Sequence, residues 1–301
     1  MWIVKLLKDE EGSSVVIVAL MLTVLMSFTA LVVDVGLMYA ERSRLVSAAE
    51  ASALAGASNF PYRDDGEYRE EDYDYARQAA EKIAEENGLE DYQIRLLPED
   101  AQQKEKIEVT ASEEVEFSFA RVMGFQEGDV TGQAAAKSVP LAGFTGVVPL
   151  GIPEQDFEGY GMYDLKVPAG QGDEGNYQPL RLDEEDSGAS VYREKLEEGH
   201  DEMLFVGDIL ETERGNMARQ TRDGLEERFE EDEREVVIPI VTDPEDNEVE
   251  IVGFGAFYLA DIEDGPEGHI IYKGIFQEKV ADGELDEDLE DYGLRGTKLV
   301  R

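Results

Sequence analysis

One stretch near the start of the chain contains no charged residue. From Ser13 to Val33 the sequence is apolar apart from a few serine and threonine residues. Its 21 residues match the roughly 20 that a helix needs to cross the core of a bilayer. A buried core helix rarely runs this far without a charge, and the apolar part of a cleaved secretory signal is shorter, about 7–15 residues. The pattern therefore predicts a retained membrane-spanning helix.

The helical pattern continues beyond the apolar stretch. Most residues from Leu37 to Ser58 are good helix formers, and the first proline is Pro61. Small residues are concentrated in the second half of this extension, at Ala48, Ala49, Ala51, Ser52, Ala53, Ala55, Gly56 and Ala57. Small side chains let another backbone approach closely. That backbone belongs either to the chain's own globular part or to a neighbouring subunit, and both alternatives are open at this point.

Residues 59–143 predict a small α+β domain. Proline, glycine and many charges make Asn59–Asp72 typical of a linker. Tyr73–Asn87 has the spacing of an amphipathic helix, and Gly88 supplies its stop. The predicted elements that follow are strands at Tyr92–Leu97, Lys106–Ala111 and Val130–Val139 and a short helix at Glu116–Met123. Together they predict a helix packed over a sheet.

Residues 144–301 predict a β-rich domain, either a sandwich or a barrel. One helix is expected at Met217–Glu231, with Asn216 as its cap. The acidic segment Asp282–Tyr292 is expected to be solvated. The candidate strands are Val147–Ile152, Tyr163–Val167, Met203–Ile209, Glu235–Val241, Val249–Ala260 and His269–Gln277. The predicted fold class is therefore α+β, with a leader at 1–12, a spanning and extended helix at 13–58, and domains at 59–143 and 144–301.

Composition removes several function classes. The chain has 27 basic and 70 acidic side chains and a formal net charge of −43, which repels phosphate backbones and argues against nucleic-acid binding. Cysteine is absent, so disulfides, thiolate nucleophiles and cysteine metal sites are excluded. The two histidines are His200 and His269. A zinc site made of three histidines is therefore excluded as well.

The sequence gives little support for catalytic or metal-binding residues. His200 is flanked by acids and is expected to be an exposed histidine on a loop, and His269 is expected to be structural. The sequence lacks the nucleophile-elbow, Walker and dinucleotide glycine patterns, so no enzymatic activity is predicted. No cofactor is expected except that calcium, which takes oxygen ligands, is possible in acidic loops. The densest of these are Asp64-Asp65, Asp183–Asp186 and Asp243–Glu248.

Residues 9–58 resemble the TadE/TadG-like proteins of Flp (Tad) pilus assembly. The residues that carry the resemblance are a charged patch ending in Gly12, the apolar span, the Asp34-Val35-Gly36 exit, Tyr39, Arg42, Arg44 and the run Ala53–Ala57, which contains Gly56. Gly146–Phe157 and Val206–Met217 also resemble later segments of such proteins. The resemblance implies a membrane-anchored, pseudopilin-like component whose small α+β part resembles a pilin head.

Processing and orientation follow partly from this resemblance. Prepilin-type peptidases cut after a glycine, here between Gly12 and Ser13, and generally expect a glutamate five residues later. Ile17 stands at that position, so an uncleaved anchor is predicted. Basic residues balance across the span, with Lys5 and Lys8 before it and Arg42 and Arg44 after it. The family resemblance therefore places the amino terminus in the cytoplasm and the bulk of the chain outside it.

Two classes of function remain after these exclusions. The first is a non-enzymatic component of Flp-type pilus assembly, either a pseudopilin-like subunit or an anchored accessory. Its partners are the membrane, other pilus-assembly proteins and further copies of the chain. In this class the amino-terminal helix makes the contacts between copies. The second is a membrane-anchored binding module, in which the β-rich domain recognises a surface ligand, a glycan or calcium.

Overall fold

A single long helix contains the apolar stretch. The computed structural model describes residues 10–61, 68–99, 104–167, 178–183, 188–213, 217–265 and 270–300. Helix α1 runs from Glu10 to Ala57 without a break. Every large apolar side chain on it from Val15 to Val33 is exposed. The hydroxyls of Thr23, Ser27 and Thr29 donate to backbone carbonyls one turn back, at 2.8–2.9 Å, so they do not interrupt a surface suited to lipid.

The described chain divides into two compact units. The first unit contains the described parts of Met1–Asn59, Asp74–Ala136 and Leu299–Arg301. After α1 it contains helix α2 (Asp74–Glu86), strands β1 (Asp91–Leu97) and β2 (Lys106–Glu116), and the start of β3 (Glu127–Thr145). Strand β2 pairs antiparallel with both β1 and β3. Its alternate residues Ile107, Val109 and Ala111 are buried, as a sheet with one covered face requires.

Helices α1 and α2 supply that cover. Leu45 and Ala48 of α1, Ala84 of α2, Ala111 of β2 and Val130 of β3 belong to one buried cluster. The buried residues of helix α2 are all alanines, Ala76, Ala80 and Ala84, which keeps its axis close to its neighbours. The first unit is therefore two helices packed on one face of a sheet that contains β1, β2 and the start of β3.

The second unit contains the described parts of Phe60–Tyr73 and Lys137–Lys298. The later part of β3 pairs here with β7 (Met203–Phe205) and β13 (Glu284–Leu285). The remaining strands are β4 (Leu150–Pro153), β5 (Met162–Val167), β6 (Gln178–Arg181), β8 (Ile209–Thr212), β9 (Glu235–Val241), β10 (Glu248–Asp264), β11 (Ile270–Gln277), β12 (Lys279–Val280) and β14 (Leu294–Val300).

Five of these strands close into a ring. The order β10-β8-β6-β4-β9 is continuously hydrogen bonded, and β9 pairs again with β10. Strand β10 is long enough to hold β8 at Glu248–Glu250, β9 along Ile251–Tyr258 and β11 along Ala256–Asp264. Strands β11 and β5 then extend the sheet from the ring. Of the sandwich and the barrel that the sequence allows, the described strands therefore form a small barrel.

Strand β9 is buried on both faces. Val237 and Val241 face a cluster with Leu180, Leu210 and Val249, which come from the other ring strands. Val236, Ile238 and Ile240 face a second cluster, which contains side chains of helices α3 (Ala189–Glu198) and α4 (Ala218–Glu230). These two helices meet at Gly224, where an added Cβ would lie 2.9 Å from Leu196 Cδ2. The second unit is therefore a barrel with a helical layer packed on its outer side.

The structure confirms the α+β fold class and corrects several local predictions. Glu116–Met123 is not one helix, because β2 continues to Glu116 and only Ala120–Met123 is a 3₁₀ turn. The strand predicted at Met203–Ile209 is interrupted by a turn in which the Phe205 amide donates to Asp208 Oδ2 at 2.7 Å. Helix α3 and strand β6 lie in segments where no element was predicted. The predicted cap Asn216 and the loop Asp64-Asp65 fall outside the described residues.

The acidic segment near the carboxyl terminus is not wholly solvated. It contains β13 and ends at Tyr292, which is buried in the larger cluster of the second unit. The Tyr292 hydroxyl donates to Glu154 Oε1 at 2.6 Å. The acidic composition correctly describes the exposed residues between these points, but the single aromatic residue anchors the segment to the core.

Two buried tyrosines make the stability of the second unit depend on pH in the alkaline range. Burial raises the pKa of Tyr272, and burial followed by the hydrogen bond to Glu154 raises the pKa of Tyr292. Tyrosines of an unfolded chain ionise near pH 10, so these two stabilise the folded state below that pH and the stabilisation is lost as the pH rises above it. We expect the free energy of unfolding of the second unit to decrease as the pH rises above about 10, as followed by denaturant unfolding monitored by circular dichroism. The double variant Tyr272→Phe/Tyr292→Phe should lose stability less steeply with pH than a Tyr258→Phe control, and an unchanged slope would contradict this assignment.

Candidate functional site

The residues from Asp34 to Gly56 on α1 form the junction between the apolar span and the first unit. One face of this helix segment packs on the unit, and its most buried residues include Asp34, Leu45, Ala48, Ser52 and Ala53. They recur at helical spacing, as one contact face requires. The opposite face is exposed. We call the two faces the docked face and the free face, and the family-motif residues divide between them.

Asp34 makes the first contact of the docked face. Its side chain is 2% exposed, and its carboxylate accepts hydrogen bonds from the backbone amides of Ser118, Phe119 and Ala120 at 2.6–3.2 Å. Ala120 begins the 3₁₀ turn Ala120–Met123. Asp34 thus satisfies the amides at the start of that turn from another helix, in the way that a cap residue does within its own helix. The carboxylate fixes the end of the span to the β2–β3 connection.

Arg44 adds a polar link at the edge of the same face. Its guanidinium bonds to Glu41 at 2.5 Å on its own helix and also pairs with Glu113 on β2. Its Nη1 lies 3.5 Å from the carbonyl of Asn87, just after the end of α2, where a cation is favoured by the helix dipole. All three groups are partly exposed, so this link contributes orientation more than stability.

The small residues allow the closest contacts of the docked face. An added Cβ at Gly56 would lie 2.5 Å from Ile107 Cδ1 and 3.1 Å from the Ala76 carbonyl oxygen. On the facing strand β3, an added Cβ at Gly132 would lie 2.6 Å from the Leu45 carbonyl carbon and from the Val46 nitrogen. Ala53 is fully buried. The most buried members of the small-residue run therefore pack against the chain's own first unit, which is one of the two alternatives that the sequence leaves open.

The free face carries the other motif residues. Tyr39 is 76% exposed, and an added Cβ at Gly36 would meet no atom within 4 Å. Ala40, Ser43 and Ser47 are exposed on the same side. Nothing inside the first unit therefore requires glycine at position 36 or tyrosine at position 39. This face is the part of the junction that is open to other molecules.

The candidate processing position lies within the described backbone of α1. The helix begins at Glu10 and passes through Gly12 and Ser13 without interruption. Ile17, the residue that stands where a glutamate is expected, is one of the exposed apolar residues of the span. An uncleaved anchor stays a prediction.

His200 is buried, which corrects the expectation of an exposed loop residue. It is 2% exposed, because its backbone amide donates to the Val147 carbonyl at 2.9 Å and its carbonyl accepts from the Gly146 amide at 2.7 Å. Its Nδ1 lies 3.8 Å from Asp183 Oδ1 and 3.9 Å from Asp201 Oδ1. Its position is thus set by backbone pairing at the end of α3. His269 lies outside the described residues.

The charges around His200 pair mainly with a lysine. Lys195 Nζ lies 2.5 Å from Asp201 Oδ1 and 3.7 Å from Asp183 Oδ2. The hydrogen bond to Asp201 raises the pKa of Lys195 and lowers that of Asp201. A lysine that already neutralises these carboxylates competes with any cation for them. The arrangement is therefore a local ion-pair cluster at the end of α3.

Metal ligation finds no support in the described part of the chain. No group of three or more histidine, aspartate or glutamate side chains there is placed to hold a metal ion. The acidic loop Asp243–Glu248 is the hairpin turn between β9 and β10, with Asp246 and Asn247 at φ 52° and 71°. Two positive φ values between paired strands are typical of a type I′ turn, in which aspartate and asparagine are favoured. The turn therefore accounts for the residue types at positions 246 and 247.

The comparison with protein families gave a match in the amino-terminal helix. Residues 12–59 match the family model described as putative Flp pilus-assembly TadE/G-like. This range begins at Gly12 and includes the remainder of α1, so the resemblance of the amino-terminal module is confirmed. Comparison with curated proteins and with solved structures gave no significant match.

The match assigns the module to a general role. It supports involvement in Flp pilus assembly, and together with the exposed apolar helix it indicates a membrane anchor. The family is one of pilus assembly and not of enzymes.

Sequence reasoning missed the partners of the motif residues. Neither Ser118–Ala120 nor Gly132 was identified, although glycine inside a predicted strand is a known signal of close backbone approach. Gly132 lies within the strand predicted at Val130–Val139. That signal would have indicated a helix crossing β3, but it could not have identified α1 as the helix.

Proposed function

We propose that this chain is a non-enzymatic, pseudopilin-like component of Flp pilus assembly, anchored by α1 with both folded units outside the cytoplasm. The observation that carries the proposal is the continuity of α1. One helix forms the apolar span, docks the first unit with one face and leaves the other face free. In this reading the chain acts by packing and display, and the bilayer and other pilus-assembly proteins are its partners.

The free face supports contacts between copies through the amino-terminal helix. Gly36, Ala40, Ser43 and Ser47 are small and exposed along one side of α1, so a second helix can approach closely there. The buried small residues from Ala48 to Ala57 are already occupied within the chain. Contacts between copies are therefore proposed for the span and the free face, and not for the buried small-residue run.

Substitutions on the free face test this function. We expect neither Gly36→Leu nor Tyr39→Ala to lower the thermal stability of the purified chain, because neither residue packs within the first unit. The same variants should remove the chain from filaments sheared off the cell surface, as measured by immunoblot. The control is Tyr75→Ala, because Tyr75 on α2 is 73% exposed but lies away from the free face.

Three outcomes are informative. Wild-type amounts of both variants in filaments would contradict a role for the free face. A wild-type chain found in membranes and absent from filaments would favour an assembly accessory over a filament subunit. Intact mass of the mature protein supplies the third measurement, because a start at Ser13 would overturn the uncleaved anchor and a start at Met1 would support it.

A further inference from the structure

The connection between β2 and β3 exposes an apolar patch next to the end of the span. We call residues Ser118–Gln126 the exit loop. Within it Phe119, Val122 and Phe125 are 48%, 90% and 63% exposed. Single exposed apolar residues are common, but three large ones within seven residues of one loop form a patch that normally marks a contact surface.

Asp34 fixes the position of the exit loop relative to the end of the apolar stretch. This residue directly follows Val33, the last residue of the apolar stretch, and its carboxylate holds the amides of Ser118, Phe119 and Ala120 at hydrogen-bonding distance. The loop backbone therefore lies within one hydrogen bond of the helix turn at which the chain leaves the hydrocarbon. A loop at this position meets the headgroup region of the same bilayer.

The hydrogen bonding of the loop also lowers the free-energy cost of moving its backbone from water into a membrane interface. Phe117, the residue before the loop, donates its amide to the carbonyl of Gln126 at the loop's end at 2.9 Å. The Phe125 amide donates to the Ala120 carbonyl at 3.2 Å. The three amides that face Asp34 are already paired. Removal of a backbone group from water is costly only where that group lacks a partner. The loop therefore carries exposed apolar side chains on a largely satisfied backbone.

We propose that the exit loop inserts Phe119, Val122 and Phe125 into the interfacial region of the bilayer that α1 spans, as a second membrane contact. Each apolar side chain gains by leaving water. Arg121, which pairs with Glu116 at 2.9 Å, has a long side chain that keeps its charge at the headgroup level. Two membrane contacts joined through Asp34 fix the tilt of the first unit against the membrane, which one helix alone does not.

Tryptophan fluorescence in vesicles tests the proposal directly. The chain contains one tryptophan, Trp2, so Trp2→Phe provides a background without fluorescence from tryptophan. Val122→Trp in that background places a reporter at the tip of the loop. The full-length chain is reconstituted into phosphatidylcholine vesicles whose acyl chains carry bromine or a nitroxide near the carbonyl. We expect this reporter to lose most of its emission to the lipid quencher and to shift to shorter wavelength.

The matched control is Tyr75→Trp in the same background. Tyr75 is exposed and adjoins Ala76, which faces Gly56. Gly56 lies 22 residues beyond Asp34 along α1, a rise of about 33 Å. The fluorescence of a reporter at position 75 should therefore be unaffected by the lipid quencher and should be quenched by acrylamide in the aqueous phase.

Two results would overturn the proposal. In the first, the reporter at position 122 is quenched by acrylamide as strongly as the control and is insensitive to the lipid quencher, which would leave the loop in water. In the second, it is shielded from both quenchers to an extent that grows with the protein-to-lipid ratio, which would mean that a second copy covers the loop. Neither result bears on incorporation into filaments, because the vesicles contain no pilus machinery.

Discussion

Replacing Gly132 with alanine should destabilise the first unit by about 2–3 kcal/mol, the upper range for overpacking of a tight contact. The added Cβ would lie 2.6 Å from backbone atoms of Leu45 and Val46 on α1. Backbone cannot rotate away as a side chain can, so the helix must move off the sheet. Alanine by itself is favoured over glycine by only about 0.5–1 kcal/mol. The clash is therefore the larger effect, and the expected sign is destabilising.

The control for this experiment is the same substitution at Gly36. An alanine there meets no atom within 4 Å, and glycine in a helix interior is about 0.5–1 kcal/mol less favourable than alanine. Gly36→Ala should therefore leave stability unchanged or raise it. Both variants are compared by thermal unfolding in detergent and by hydrogen exchange of the β2 and β3 amides. Equal stability of the two variants would contradict the docking of α1 on β3.

Replacing Asp34 with alanine should release the exit loop while leaving the sheet folded. Three backbone amides would lose their acceptor, and alanine offers nothing in its place. Hydrogen-exchange protection at Ser118, Phe119 and Ala120 should fall by about tenfold to a hundredfold, as expected when hydrogen bonds to a charged acceptor are lost. Strand β2 pairs through its own ladder with β1 and β3, so its protection should change little. Hydrogen exchange followed by mass spectrometry resolves the two segments.

Two further variants define the specificity of the Asp34 effect. Asp34→Asn keeps one carbonyl oxygen as an acceptor but places an amide group opposite one of the donors, so an intermediate loss of protection is expected. Asp74→Ala removes an exposed aspartate at the start of α2 and should leave the loop protected. Loss of protection throughout the first unit in Asp34→Ala would contradict a local role. In vesicles, Asp34→Ala should also reduce lipid quenching of the reporter at position 122.

Local pattern was sufficient for the elements whose period is clear. Helix α2 at Asp74–Glu86 and strand β9 at Glu235–Val241 lie within two residues of their predicted bounds. The α+β class and the spanning helix were also predicted correctly. These elements have a regular apolar repeat, and the turn residues that follow them predict their ends close to the observed ends.

The prediction failed where a segment is defined by its partners. Strand β6 contains only Gln178–Arg181 and exists because β4 and β8 hold it on either side. His200 reads as a surface residue among acids, yet pairing with Gly146 and Val147 buries it. Tyr292 ends an acidic run and lies in the core through contacts with residues far away in sequence. In each case the deciding interaction is long-range, so the neighbouring residues carry no trace of it.

The sequence by itself determined the anchor, because an uncharged run of bilayer length has its physical consequence without reference to any other residue. It also determined the small-residue extension of the helix and the family resemblance of residues 12–59. Only the tertiary structure decided what the motif residues do. Asp34, Ala53 and Gly56 pack inside the first unit, whereas Gly36 and Tyr39 are exposed. The reason is that faces of a helix acquire different roles only when a sheet packs on one of them, and that sheet is assembled from strands 50 to 100 residues further along the chain.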